Sequence, residues 1–231
     1  MKIAYEGPES DLFGVSGEDR ESLDGVDVVI FGQEVTFWND GSADLLSLLR
    51  SVEKNARELK EGVLVVRHGL SVPGTTEQIA RVIRDVRGDD FRFKTAFIPN
   101  IAGEFFGLEK DDPDVVLQID RLRLSTWGGF TFKEHFVPVE RAEKHSCLKL
   151  CYKTVNIGLG HELCLVAEEQ LIPRAGNIVY NLSHYERKMA RAFLQWVRSQ
   201  GKELTVLSAA LNALDARDAR EKRQKEEELK K

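Results

Sequence analysis

Two continuous apolar runs, "VDVVIFG" (26–32) and "VLVVRHG" (63–69), constrain this chain more than any other feature. Runs in which every position is apolar belong to strands buried on both faces, as in a parallel sheet covered by helices. The segment between them, "SADLLSLLRSVEKNARELKEG", carries Leu45, Leu48, Leu49, Val52 and Ala56 at helical spacing, with Gly62 placed to end it. "PGTTEQIARVIRDVRG" follows the second run, with Thr75 or Thr76 as cap and Ile79, Val82, Ile83 and Val86 on one face. "KIAY" opens the strand set, and "FKTAFI" and "DVVLQI" complete it. Strands and helices in alternation imply right-handed crossovers and an α/β fold: a trimmed Rossmann-like parallel sheet.

After about residue 120 the alternation stops. "LRLSTWGGFTFKEHF" reads as an irregular or hairpin segment at Gly128-Gly129, and one long helix is expected from Val139 to about Leu171. Ser183 and Glu186 form the pattern of a capping box opening a second helix. Its apolar face is Met189, Phe193, Trp196 and Val197, and Gly201 closes it. A third helix starts near "KELTVL". The final 17 residues, from Asp215, hold 13 charged side chains and read as a solvated, fraying helix or a disordered tail. The expected organisation is an α/β domain over 1–120, a connector over 121–138, a helical region over 139–214 and a charged tail over 215–231.

Composition narrows the partners. A net charge of −5 gives no basic surplus to neutralise phosphates, so nucleic acid is not expected. No apolar run approaches the roughly 20 residues of a membrane span, and the start lacks the basic and apolar regions of a signal peptide. Cys147, Cys151 and Cys164 read as reduced thiols of a cytoplasmic protein. Their spacing is not that of a zinc site, even with His145 and His161 nearby, so no metal is expected.

Three stretches together resemble the UDP-glucose/GDP-mannose (nucleotide-sugar) dehydrogenase family. "VDVVIFG…NDGSADLLSLL" is similar to that family's fourth strand and the loop into its next helix. "GVLVVRHGLSVPGTTEQIARVI" is similar to its Lys-Ser-Thr-Val-Pro strand followed by Gly-Thr-Thr-Glu. "PVERAEKHSCLKLCYKTVNIGLGHEL" aligns without a gap to its central helix, which reads Ala-Glu-x-x-Lys-x-x-x-Asn. The resemblance implies a dinucleotide fold and an NAD-dependent oxidation of a sugar CH2OH. It also implies a two-fold dimer built on the helix from Val139, in which Gly158 and Gly160 permit close helix approach.

The positions that carry that chemistry depart from the family. The fingerprint Gly-x-Gly-x-x-Gly becomes Gly7, Glu9 and Leu12, which sets a carboxylate where pyrophosphate would lie. Gly7 is thus a remnant, and no cofactor is expected unless NAD binds in an unusual mode. The family's lysine and asparagine fall at Ser146 and Leu150, with Lys149 three residues from Ser146. Its glutamate falls at Asn100, with Glu104 four residues on, and its Gly-Gly-x-Cys-Phe-Pro-Lys-Asp element is absent. "LSVPGTTE" lacks the ending of a phosphate-binding P-loop, and capping of the next helix explains it better.

Arg67 and His68 follow a strand at the carboxyl end of the sheet, where open α/β folds bind ligands. They read as loop residues with ordinary surface hydrogen bonds, or as an anion clamp and an acid–base group near neutral pH. Phe37, Trp38, Trp127, Phe130 and Phe132 would line an apolar pocket if they converged. The expected function is therefore that of a pseudoenzyme: a repurposed homodimer, scaffold or binder of a small molecule or sugar nucleotide, with Arg67, His68, Asn100, Ser146 and Lys149 at the ligand. Two alternatives stand beside it: a non-redox enzyme using His68 and Glu104, and an NAD-dependent oxidoreductase acting on a sugar nucleotide.

Overall fold

The computed structural model describes residues 2–7, 23–99, 106–108, 112–126, 136–166 and 182–229. The cofactor-loop positions Glu9 and Leu12, the site positions Asn100 and Glu104, and Trp127 to Phe132 lie outside the described residues.

The chain divides into two compact units, residues 1–38 with 43–147 and residues 39–42 with 148–231. The first contains strands β1 (Ile3–Glu6), β2 (Val28–Phe31), β3 (Thr36–Phe37), β4 (Ala43–Asp44), β5 (Leu64–His68), β6 (Lys94–Ile98), β7 (Phe106–Leu108) and β8 (Phe136–Pro138). Its helices are α1 (Leu46–Ala56), α2 (Thr75–Arg87), α3 (Pro113–Thr126) and the start of α4 (Val139–Val166). Six strands form one sheet in the order β1-β2-β5-β6-β7-β8, and β3 and β4 make a separate hairpin. The strands β1, β2, β5 and β6 are parallel; β7 reverses against β6, and β8 follows β7. The architecture is a mixed, mostly parallel Rossmann-like α/β fold.

Strand alternation explains both layers. Tyr5, Val28, Ile30, Leu64, Val66, Ala96, Ile98 and Leu108 share one face and pack with Val115 and Ile119 of α3. The alternate residues Val29, Phe31, Val65 and Phe97, all fully buried, take the other face, where α2 packs on β6 and on α1. Arg87 of α2 ties these helices together. Its guanidinium lies 4.0 Å over the Phe91 ring and donates to the carbonyls of Ala56, Arg57 and Leu59, at and just beyond the end of α1.

The "DVVLQI" segment is helix rather than strand. Asp112 Oδ1 accepts from the amides of Asp114 and Val115, Pro113 occupies the first helical position, and Val115 and Ile119 fall one turn apart in the core. Asp-Pro is a helix-start signal that outweighs the apolar run. α2 is likewise not capped by its own threonines. Gly74 precedes it at φ +90°, which a side chain would strain, and both Thr75 and Thr76 lie inside the helix.

The second unit contains the rest of α4, α5 (His184–Ser199) and α6 (Thr205–Glu228). The described part of α4 runs through Val166, and residues 167–171 of the expected helix lie outside the described residues. The capping box at Ser183 and Glu186 is formed on both sides, and Met189, Phe193 and Val197 are buried. Trp196 is half-buried and stacks 5.6 Å from Phe193. Arg187 and Arg191 of α5 pair with Asp218 and Asp215 of α6. These pairs, with Arg217–Glu221 and Lys222–Glu226 at i,i+4, accompany a charged tail that is helical through Glu228. Gly158 on α4 lies against α6: a Cβ there would stand 2.9 Å from Ala210 Cβ. That glycine therefore serves an approach inside the chain, while Gly160 faces open space.

Candidate functional site

The site begins where the parallel strands end. Arg67 and His68 are the last residues of β5, not loop residues, and both are buried, at 1% and 5% exposure. Consecutive strand residues face opposite sides of the sheet, so they do not form one clamp. Arg67 spends its guanidinium on the protein: Nε donates to Ser71 Oγ at 2.7 Å, Nη1 to the Phe31 carbonyl at 2.8 Å and Nη2 to the Leu70 carbonyl at 3.1 Å. These bonds join the end of β2 to the turn after β5, which Gly69 makes at φ +97°.

His68 lies on the α3 side, with its ring 6.5 Å from that of Tyr5. Burial, and secondarily the charge of Arg67, lowers its pKa from 6.5 to about 4. The imidazole is neutral at pH 7, so the expectation of a proton carrier titrating near neutrality is corrected by its desolvation. Burial also raises the Tyr5 phenol, against the pull of Arg67.

Tyr5 is the residue the sequence reading missed. Its ring crosses from β1 to the end of β2: a Cβ on Gly32 would stand 1.9 Å from Tyr5 Oη, and one on Gly7 2.9 Å from Tyr5 Cε1. Gly7 and Gly32 thus make room for this ring at the carboxyl ends of both strands. Among the described residues β1 is also the last strand of the sheet, with β2 on its only paired side.

The start of α4 supplies a second missed residue. Glu143 is fully buried and reaches the N-terminus of α2, where Oε2 accepts from the Gly74 amide at 2.6 Å. Its Oε1 accepts from the Thr76 amide at 2.9 Å and the Thr76 hydroxyl at 2.6 Å. Burial pushes this carboxyl above its ordinary range, while the bonds from Thr76 and Gly74 and the charge of Arg67 pull the other way. The "PGTTE" turn does present a helix N-terminus, and its amides are taken by the chain's own Glu143 carboxyl. One turn later, Cys147 Sγ donates to the Ser71 carbonyl at 3.0 Å. Glu143 forms one wall of an open groove of about 230 Å³ between α2 and the start of α4, with Thr76, Arg84, Thr95 and Val139 around it.

Ser146 is buried, and its hydroxyl has no hydrogen-bond partner. Lys149, one turn on, is half-buried. Phe37 is half-buried and Trp38 is 52% exposed. Cys147 and Cys151 are buried thiols in no disulfide, the pKa of the latter pushed up to about 12 by burial. Among the described residues no three His, Cys, Asp or Glu side chains gather as a metal would require.

No family model matches the sequence, and no curated protein matches it. Solved structures do. A UDP-glucose dehydrogenase from Pyrobaculum islandicum superposes with a TM-score of 0.66 at 20% identity, over 83% of this chain and 50% of its own. The UDP-D-ManNAc dehydrogenase from Pyrococcus horikoshii gives 0.67 at 18% identity with the same coverage. This chain has the fold of the UDP-sugar dehydrogenases. It spans about half the length of both. A conserved hypothetical protein from Sinorhizobium meliloti 1021, TM-score 0.54 at 13% identity, is matched over 79% of its length. The mostly parallel α/β sheet expected from the resemblance is therefore that of a UDP-sugar dehydrogenase fold. Glu143 falls at the glutamate of the Ala-Glu element on which the resemblance rests, a signal that was present in the sequence.

Proposed function

We propose that this chain puts the nucleotide-sugar dehydrogenase fold to a non-oxidising use, as a homodimeric scaffold or binder of a small ligand, without NAD held in the usual mode. One observation carries the reading: the crevice at the ends of β1 and β2 is spanned by Tyr5, packed into the space left by Gly7 and Gly32. Dinucleotides in doubly wound folds lie over the first strand, at the point where the strand order reverses. Here β1 stands at the edge of the described sheet. In the sequence, Glu9 stands where the family's fingerprint has a glycine.

The ligand side of the proposal rests on the start of α4, where Ser146 presents a buried hydroxyl without a partner. A pKa of about 4 for His68 removes support from acid–base chemistry through that residue at neutral pH. The homodimer rests on exposed Leu148, Tyr152 and Leu159 on α4. Among the described residues no helix is long and apolar enough to cross a membrane. Titration with UDP-glucose and with GDP-mannose, each followed by calorimetry, tests the ligand side. Binding of either that Ser146→Phe abolishes supports a sugar-nucleotide module. Silence from both, with a dimer in sedimentation, supports the scaffold, and a silent monomer contradicts the proposal.

A further inference from the structure

From the way one exposed carboxyl is held, we infer that Asp40 is a site of spontaneous covalent rearrangement, its link to Gly41 passing through a cyclic imide into an isoaspartyl bond. The sequence contains two Asp-Gly pairs, Asp24-Gly25 and Asp40-Gly41, and glycine leaves the attacking nitrogen without a side chain to shield it. Asp40 and Gly41 lie at the tip of the hairpin between β3 and β4, within the second unit. Asp40 is exposed, and its Oδ1 accepts from the Ser42 amide at 2.8 Å and the Ser42 hydroxyl at 2.6 Å. A carboxyl bonded to the amide two residues on is folded forward over the intervening peptide, as in an Asx turn. Gly41 turns there at φ +83°, and a Cβ on it would meet nothing nearer than Arg191 Cβ at 4.0 Å.

Proximity then favours ring closure. The Gly41 nitrogen attacks the side-chain carboxyl carbon of Asp40 in its acid form. A C–N bond forms, the carboxyl C–O bond breaks, and the hydroxyl leaves as water with the amide hydrogen. A solvent water then opens the ring. Addition at the side-chain carbonyl restores aspartate, and addition at the main-chain carbonyl leaves Gly41 linked through the side chain. The rearranged main chain is one carbon longer at the tip, so the 3.3 Å bond from Gln195 Nε2 to the Asp40 carbonyl and the two bonds from Ser42 lose their present geometry. The other Asp-Gly pair is held differently. The carbonyls of Asp24 and Gly25 accept from Lys2 Nζ at 2.6 Å and Lys60 Nζ at 3.3 Å, which fixes that peptide at both ends.

The test uses the full chain. It is aged in neutral buffer made with heavy-oxygen water, digested and mapped by mass spectrometry, beside a sample kept unfolded in urea. The peptide containing position 40 is expected to split into two species of one sequence. The new species carries a heavy oxygen and accepts methyl groups from an isoaspartyl methyltransferase, while the peptide containing Asp24 stays single. Ser42→Ala removes one of the bonds that hold the carboxyl forward. It is expected to slow the rearrangement about threefold in the folded chain and to leave the rate in urea unchanged. A folded chain that does not split at position 40, while its unfolded sample does, overturns the inference. Earlier splitting at Asp24 overturns the choice of site, and an unchanged folded rate in Ser42→Ala overturns the positioning by Ser42.

Discussion

Tyr5 and His68 show how single residues set the character of this sheet end. The Tyr5 hydroxyl occupies the position a Gly32 side chain would need. Gly32→Ala is expected to destabilise the fold by about 1–3 kcal/mol in denaturant unfolding, as overpacking does. Adding Tyr5→Val should recover most of that loss, and equal losses in both backgrounds would contradict the contact. His68 gives a pH dependence with a definite sign. Its folded pKa, about 4, is below the ordinary 6.5, so the fold favours the neutral ring. Its contribution is complete above pH 6.5 and is lost as pH falls toward 4, up to about 3 kcal/mol. His68→Leu should flatten that part of the stability profile. An unchanged profile would show that the ring is solvated.

At the scale of elements, side chains from distant segments hold the turn between β5 and α2. Glu143→Ala leaves the part-buried amide of Gly74 and the buried amide of Thr76 without their acceptor and is expected to cost about 2–4 kcal/mol. Hydrogen exchange should speed up at those amides first. Gly158→Val should separate α4 from α6 and cost about 1–3 kcal/mol, with little effect on the α/β unit. The strands β2 and β5, the helices α1 and α2 and the Ser183 capping box were legible because periodicity and capping are local signals. α3 was not read, because "DVVLQI" is apolar enough for a strand and only the preceding Asp-Pro marks the helix. The clasp at α2 was not read either. Its acceptor comes from Glu143, 67 residues beyond Thr76, and only the Ala-Glu element hinted at it.

For the whole molecule, the fold was visible in sequence through three stretches of motif. Tyr5 was not, because filling a crevice is a property of two strands ending side by side. Shared architecture with the UDP-sugar dehydrogenases does not carry their reaction with it. The account stands on the claim that the ends of β1 and β2 no longer admit a dinucleotide. Calorimetric titration of the full chain with NAD tests it directly. No heat of binding at millimolar NAD is the predicted result, and a saturable isotherm in the micromolar range would contradict it.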